Sequence, residues 1–204
     1  ARGAGARRAG GRPGTRGLAG GGTMGGRACA GGVRPWSRPL VERQRKAGCE
    51  GVPGFGLCLG GQPFAKGRGA EVARTSTPES GWSDVDVIDG ASNPWFGHRE
   101  RFRTFEWHCD IFGLPDGAKR VLTNAANPDQ GYAFGKHIGF QCHIEMTREM
   151  VESWCASGGD ELPKRSTGVV QSKADILDDL DARLAALASV ADDVYARWAE
   201  GLAQ

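Results

Sequence analysis

Beyond its first fifty residues, the sequence consists of short apolar runs separated by turn residues. Residues 52–59, "VPGFGLCL", predict a strand that enters a turn, and residues 60–72 predict a short helix that ends in glycines. Alternation over 83–89 predicts a half-buried strand, and "HIGFQCHIE" over 137–145 predicts a strand near the core. Residues 114–136 predict a turn, a strand and a hairpin-like return. Strands mixed with helices indicate an α/β domain.

The C-terminal segment predicts one long helix over residues 173–203. Ser172 and Asp175 form an S-x-x-D capping signal at its start. The apolar residues that follow recur at spacings of three and four, on one face: Leu177, Leu180, Leu184, Leu187, Ala191, Val194, Trp198 and Leu202. Because the pattern lasts only about four heptads, packing across the domain is favoured over a dimerising coiled coil.

The N-terminal segment has a different composition, made of Gly, Arg and Ala with almost nothing to bury. Residues 1–50 hold 11 Lys and Arg against two acids, whereas residues 51–204 hold 15 against 22. Since such a segment cannot offset the entropy of ordering, we predict a disordered tail over 1–32 and one domain over 33–204. An arm that contacts nucleic-acid phosphates usually carries interleaved aromatics, and none precedes Trp36, so nucleic-acid binding is disfavoured.

The apolar content also limits where the protein acts. No stretch approaches the roughly 20 consecutive apolar residues of a membrane span, and the basic N-terminus lacks the apolar core of a secretory signal. We therefore expect a cytoplasmic protein without a membrane partner. The six cysteines are scattered without a framework spacing, which favours reduced thiols over disulfides.

Cys58 lies between glycines directly after an apolar run, in "GFGLCLGGQ". A cysteine on a sharp strand-to-helix turn exposes its thiol, and the backbone N–H groups of the helix N-terminus favour the thiolate. Gly56 and Gly60 satisfy the G-x-nucleophile-x-G pattern of a nucleophile elbow, whose tight turn crowds side chains on each side. Glycine is abundant here, so two interpretations stay open at this point: a nucleophile, or an inert cysteine in a core.

A thiolate nucleophile needs a base to move protons and a group to orient that base. Of the four histidines, His98 lies in a loop-like stretch and is expected at the surface, and His137 is expected to begin a strand. His143 closes the run "GFQCHIE", and Glu145 lies on the same side of an extended chain. Glu145 can therefore orient one imidazole nitrogen while the other faces the thiol, which makes a Cys, His and Glu set possible.

The dipeptides His108-Cys109 and Cys142-His143 raise the alternative of a zinc site. Adjacent residues of a strand point to opposite faces, so neither dipeptide chelates well, and the usual two- to four-residue spacer is missing. No metal ligand and no cofactor is therefore predicted.

"VPGFGLCLGGQ" together with "GFQCHIEMT" resembles the class I glutamine amidotransferases, whose elbow reads roughly G-x-C-x-G-x-Q and whose His-x-Glu follows a Gln-containing strand. The stand-alone, GMP-synthase-like amidotransferases of bacteria are the most similar group. Its W-H-x-D-x-F and L-P-x-G-A stretches match "WHCDIF" and "LPDGA", and its C-terminal helix matches "YARWAEGL". The similarity is nearly continuous from Val52 to the end.

The resemblance implies an α/β, three-layer, flavodoxin-like domain with a central, mostly parallel sheet and a long C-terminal helix. Upstream, "RPWSRPL" at 34–40 is similar to the family's P-W-x-x-P-L segment, and "GGGTMGG" at 20–26 to its oxyanion loop. The family's first two strands have no counterpart here. We expect an N-terminus that is truncated, or replaced by unrelated or out-of-frame sequence.

The resemblance also implies the site and its chemistry. Cys58 would attack the glutamine side-chain amide, with His143 as acid and base and Glu145 orienting it. The backbone N–H groups of Leu59 and Gly22 would form the oxyanion hole. The substrate would contact Gln62, Gln130 and Tyr132. His108 and Asp110 lie where the family has a loop near the site and receive no catalytic role.

Two functional hypotheses follow. The first is a glutamine amidotransferase or glutaminase-type hydrolase that releases ammonia through a cysteinyl thioester, with any synthetase partner on a separate chain. The second is a catalytically silent or truncated remnant that acts, if at all, as a binding module. Neither requires a cofactor.

Overall fold

The computed structural model describes residues 52–158 and 162–202, together with Pro39, Val41, Glu42, Lys46 and Glu50. The tail predicted over residues 1–32, and with it Gly22, lies outside the described residues.

The described chain contains six strands and four α-helices. The strands are β1 (Phe55–Leu57), β2 (Val72–Val87), β3 (Arg101–Phe112), β4 (Lys119–Thr123), β5 (Gly131–Phe134) and β6 (His137–Phe140). The helices are α1 (Gly61–Lys66), α2 (Arg148–Ser157), α3 (Lys173–Leu177) and α4 (Leu180–Leu202), and short 3₁₀ turns cover Cys58–Gly60 and Gly90–Ser92. The α/β class is thereby confirmed.

The six strands form one sheet in the order β1-β6-β5-β4-β2-β3. Only β1 and β6 pair in parallel, with Leu57 opposite Phe140, and the other described pairs are antiparallel. In the described part of the chain the sheet is therefore mixed, and the expectation of a mostly parallel sheet does not hold there. The reason is local: short connections such as the turn between β5 and β6 join neighbouring strands, and a parallel pair needs a longer crossover.

Helix α4 supplies one wall of the main hydrophobic core. The residues it buries are Leu180, Leu187, Val190, Ala191 and Val194, and ring contacts join Phe55 of β1 to Tyr195 and Trp198. The predicted long C-terminal helix is present, and its apolar face packs across the domain. It begins later than expected because Asp178 is extended and Asp179 has φ 47°, which separates the capped turn α3 from α4.

A smaller apolar cluster lies under α1, where Phe64, Ala65, Phe112 and Tyr132 are buried together. It fixes α1 against the ends of β3 and β5. No helix in the described part of the chain is long and apolar enough to cross a membrane.

The cysteines differ from one another in their state. Cys58, Cys142 and Cys155 are free, as expected, but Cys109 is disulfide-bonded, so the expectation of reduced thiols is wrong for that residue. Sequence spacing cannot reveal which cysteines the fold brings within bonding distance.

Candidate active site

Cys58 lies at the turn between β1 and α1, with φ 45°, in the left-handed region that L-residues rarely adopt. The crowding of this turn is measurable at Gly56, where a Cβ atom would lie 2.8 Å from the backbone of Gly60 and Gly61. Only glycine fits at such a separation. A strained backbone at a nucleophilic residue that starts a helix is the geometry of a nucleophile elbow.

The parallel pairing of β1 with β6 brings the second half of the site to the same edge. Because Leu57 lies opposite Phe140, Cys58 and Gln141 both follow directly after their paired strands. Gln141 Nε2 donates to Cys58 Sγ at 3.6 Å, and its Oε1 accepts from Gln62 Nε2 at 3.5 Å. Sequence reasoning assigned Gln141 no role, although its place two residues before His143 was visible.

His143 is held by its backbone as well as by its side chain. Its N–H donates to the carbonyl of Phe105 at 2.8 Å, and its carbonyl accepts from the hydroxyl of Thr104 at 3.0 Å. The imidazole packs edge-on against Trp154, with ring centroids 4.9 Å apart. These contacts fix the position of the ring.

The two ring nitrogens of His143 have different surroundings. Nδ1 donates to Glu145 Oε1 at 2.6 Å, whereas Nε2 is buried and has no hydrogen-bond partner in the described part of the chain. Burial disfavours the imidazolium, but the Cys58 thiolate and the Glu145 carboxylate outweigh that effect and raise the pKa of His143 well above its ordinary value. The structure thus brings together the three residues proposed as catalytic.

The predicted substrate-binding residues have varied environments. Gln62 is buried, and its Nε2 also donates to the carbonyl of Asp110 at 3.0 Å. Gln130 is fully buried, with Nε2 donating to Glu79 Oε2 at 2.7 Å and Oε1 without a described partner. The hydroxyl of Tyr132 donates to the carbonyl of Gly61 at 2.9 Å, which ties β5 to the start of α1.

Of the two residues predicted for the oxyanion hole, the structure describes Leu59. It directly follows Cys58 in the first turn after the elbow, where N–H groups have no partner within the helix. Gly22 lies outside the described residues.

A second histidine site, which we call the Glu79 cluster, consists of Glu79, Glu106 and His108. Glu79 lies opposite His108 in the β2–β3 register, and Glu106 is two residues from His108 on the same side of β3. His108 Nε2 lies 3.3 Å from Glu79 Oε2 and 3.2 Å from Glu106 Oε2. Sequence reasoning missed this cluster, because the partner glutamate is supplied by another strand.

Burial governs the charges of the Glu79 cluster. It raises the pKa of Glu106, whereas for His108 the two neighbouring carboxylates outweigh burial and raise the pKa to about 10. The four-ligand zinc set considered from the dipeptides does not form, since Cys109 is disulfide-bonded and His143 is bonded to Glu145.

Comparison with known proteins places this geometry in context, although no family model matches the sequence. Over 111 residues the chain is 33% identical to the putative glutamine amidotransferase-like protein YfeJ of Salmonella typhimurium, covering 53% of this chain and 46% of that protein. Over 118 residues it is 33% identical to a glutamine-hydrolyzing GMP synthase of Aeropyrum pernix, covering 53% and 22%. The chain thus spans about half the length of the first relative and about a fifth of the second.

The fold has a solved counterpart as well. A crystal structure of a glutamine amidotransferase from Methylobacillus flagellatus superposes with a TM-score of 0.80 and 38% sequence identity. The superposition covers 84% of this chain and 72% of that one.

Proposed function

Because the chain belongs to the class I glutamine amidotransferase family, we propose that it hydrolyses the side-chain amide of glutamine through a thioester on Cys58 and releases ammonia. The observation that carries the proposal is the 2.6 Å hydrogen bond from His143 Nδ1 to Glu145, which leaves Nε2 as the ring atom available for proton transfer. A base oriented at one nitrogen and free at the other is what an activated cysteine nucleophile requires.

The reaction would proceed in two halves. The Cys58 sulfur attacks the carboxamide carbon of glutamine, and His143 Nε2 donates its proton to the departing nitrogen as the C–N bond breaks. The products of this half are ammonia and a glutamyl thioester. In the second half His143 removes a proton from water, the hydroxide attacks the thioester carbon, and the C–S bond breaks to give glutamate and the thiolate.

The oxygen of each tetrahedral intermediate would be stabilised by the backbone N–H of Leu59, and we propose that of Gly22 as the second donor. Gln62 and Gln130 would contact the substrate amino acid, since both are polar side chains on the face of the sheet that α1 covers. Tyr132 would support this pocket through its bond to Gly61.

We also propose that the released ammonia is used by a synthetase on a separate chain. The support is that one relative is named as a glutamine-hydrolyzing GMP synthase and that this chain covers only 22% of its length. We further propose that the protein acts in the cytoplasm, without a cofactor and without contact with nucleic acid.

The test is glutamate release from glutamine together with labelling by the glutamine-mimicking electrophile diazo-oxo-norleucine. We expect turnover and one adduct on Cys58, both lost in Cys58→Ala. Cys155→Ala is the matched control, because burial raises the pKa of the Cys155 thiol and makes it unreactive. A folded chain with neither turnover nor adduct would instead favour the alternative of a silent binding module.

A further inference from the structure

The Glu79 cluster gathers one nitrogen and two oxygen ligand atoms at a single point. The atoms of Glu79, Glu106 and His108 all lie within 4.8 Å of one another. Both glutamates have no exposed surface, and His108 is 6% exposed. The cluster lies on the side of β3 that also carries Phe112, the side covered by α1.

Two members of the cluster lack the hydrogen bonds that buried polar groups normally make. Neither oxygen of Glu106 and neither ring nitrogen of His108 has a hydrogen-bond partner among the described residues. The His108 contacts at 3.2 and 3.3 Å are close, but they do not have hydrogen-bond geometry. A fully buried carboxylate without a hydrogen bond is rare and costly, and it requires an explanation.

The third member, Glu79, is held firmly from behind. Its carboxylate accepts from Asn124 Nδ2 at 2.7 Å, from Asn127 Nδ2 at 2.6 Å and from Gln130 Nε2 at 2.7 Å. Neutral amide donors of this kind orient a carboxylate without cancelling its charge. Carboxylates that bind metals are typically supported by hydrogen bonds of this type.

The separations suit coordination of a small cation. Ligand atoms at about 2.0–2.2 Å from one tetrahedral Zn²⁺ lie roughly 3.3 Å apart, and His108 Nε2 lies at 3.3 and 3.2 Å from the two oxygens. Two carboxylates neutralise a divalent charge. An imidazole in the set favours zinc over Mg²⁺ or Ca²⁺, which prefer oxygen ligands.

We propose that Glu79, Glu106 and His108 form a binding site for a divalent transition-metal cation, with Zn²⁺ as the ion that fits it best. A cation at this point gives Glu106 the partner that it otherwise lacks. It also cross-links β2 to β3, the strand whose Phe105 holds the backbone of His143. The proposal is independent of glutamine hydrolysis, since no member of the cluster is among the three residues proposed as catalytic.

The experiment titrates Zn²⁺ against a competing chromophoric chelator, using the full chain with Cys58→Ala. That substitution prevents Cys58 and His143 from chelating the ion, so the result does not depend on catalysis. We expect one strongly bound Zn²⁺ per chain and a melting temperature that rises with zinc concentration, because an ion that binds only the folded state stabilises it. Co²⁺ should give weak d–d bands without the intense thiolate-to-cobalt band that cysteine ligands produce.

In the same background, Glu106→Gln should weaken zinc affinity by about tenfold or more, since it keeps the side-chain shape and removes a ligand charge. Glu100→Gln, at an exposed position, is the control and should bind like its parent. Circular dichroism without metal verifies that each variant is folded. Equal zinc uptake by Glu106→Gln and its parent, a thiolate-to-cobalt band, or no uptake by the folded parent would each overturn the proposal.

Discussion

The two buried histidine sites differ in how the imidazole meets its carboxylates. At His143 one nitrogen donates to Glu145, and the other is left without a protein partner near the thiol. At His108 the same nitrogen, Nε2, faces both Glu79 and Glu106. In both cases neighbouring negative charge raises the pKa of the imidazole.

A raised pKa therefore does not by itself identify a catalytic histidine. Proton transfer to a substrate needs a ring that is oriented at one end and reactive at the other, which is the arrangement at His143. A ring that turns one nitrogen toward two carboxylates can hold a cation between them, but it has no nucleophile to serve. The difference between the sites lies in direction rather than in charge.

The largest effect should come from removing the carboxylate that orients His143. We expect Glu145→Gln to lower kcat by about a hundredfold, because the amide no longer fixes the ring or stabilises the imidazolium. Glu106→Gln should cost less than about tenfold, since Glu106 affects the site only through its charge. Steady-state glutaminase assays measure both, and a similar loss in the two variants would remove the distinction between the histidines.

Gly56→Ala should separate the two sites structurally. Its Cβ would lie 2.8 Å from the backbone of Gly60 and Gly61, so the elbow must shift, at a cost of about 1–3 kcal/mol in stability and with most of the activity lost. Zinc uptake at the Glu79 cluster should persist. Gly113→Ala is the matched control, because the nearest atom to its Cβ is 3.9 Å away. Urea denaturation and the glutaminase assay are the measurements, and full activity in Gly56→Ala would contradict the elbow geometry.

The smallest expected effect is on the pH dependence of stability. Since the pKa of His143 is higher in the folded state than its ordinary value, the stability it contributes is present below about pH 6.5 and is lost as the pH rises through the folded pKa. In Glu145→Gln the decline should be shallower and begin at lower pH, because one source of the shift is gone. Urea denaturation across this range in the presence of a metal chelator tests it, and identical slopes in the two proteins would argue against the coupling.

Much of the fold was readable from local pattern. The apolar spacing after Ser172 predicted the long C-terminal helix, although the left-handed turn at Asp179 that delays its start leaves no clear sequence signal. The alternation over 83–89 revealed only the last part of β2, whose 16 residues include the polar positions that lie against β3. Strand direction was not readable, since pairing depends on which segments meet in space.

By itself, the sequence determined where the chemistry is placed along the chain. Glycines around Cys58 and the two-residue spacing from His143 to Glu145 are local features, and local backbone sterics and the period of an extended chain translate them directly into geometry. Only the tertiary structure decided that Gln141 contacts Cys58 and that Glu79 lies against His108, because those contacts depend on the register between strands that are distant in sequence.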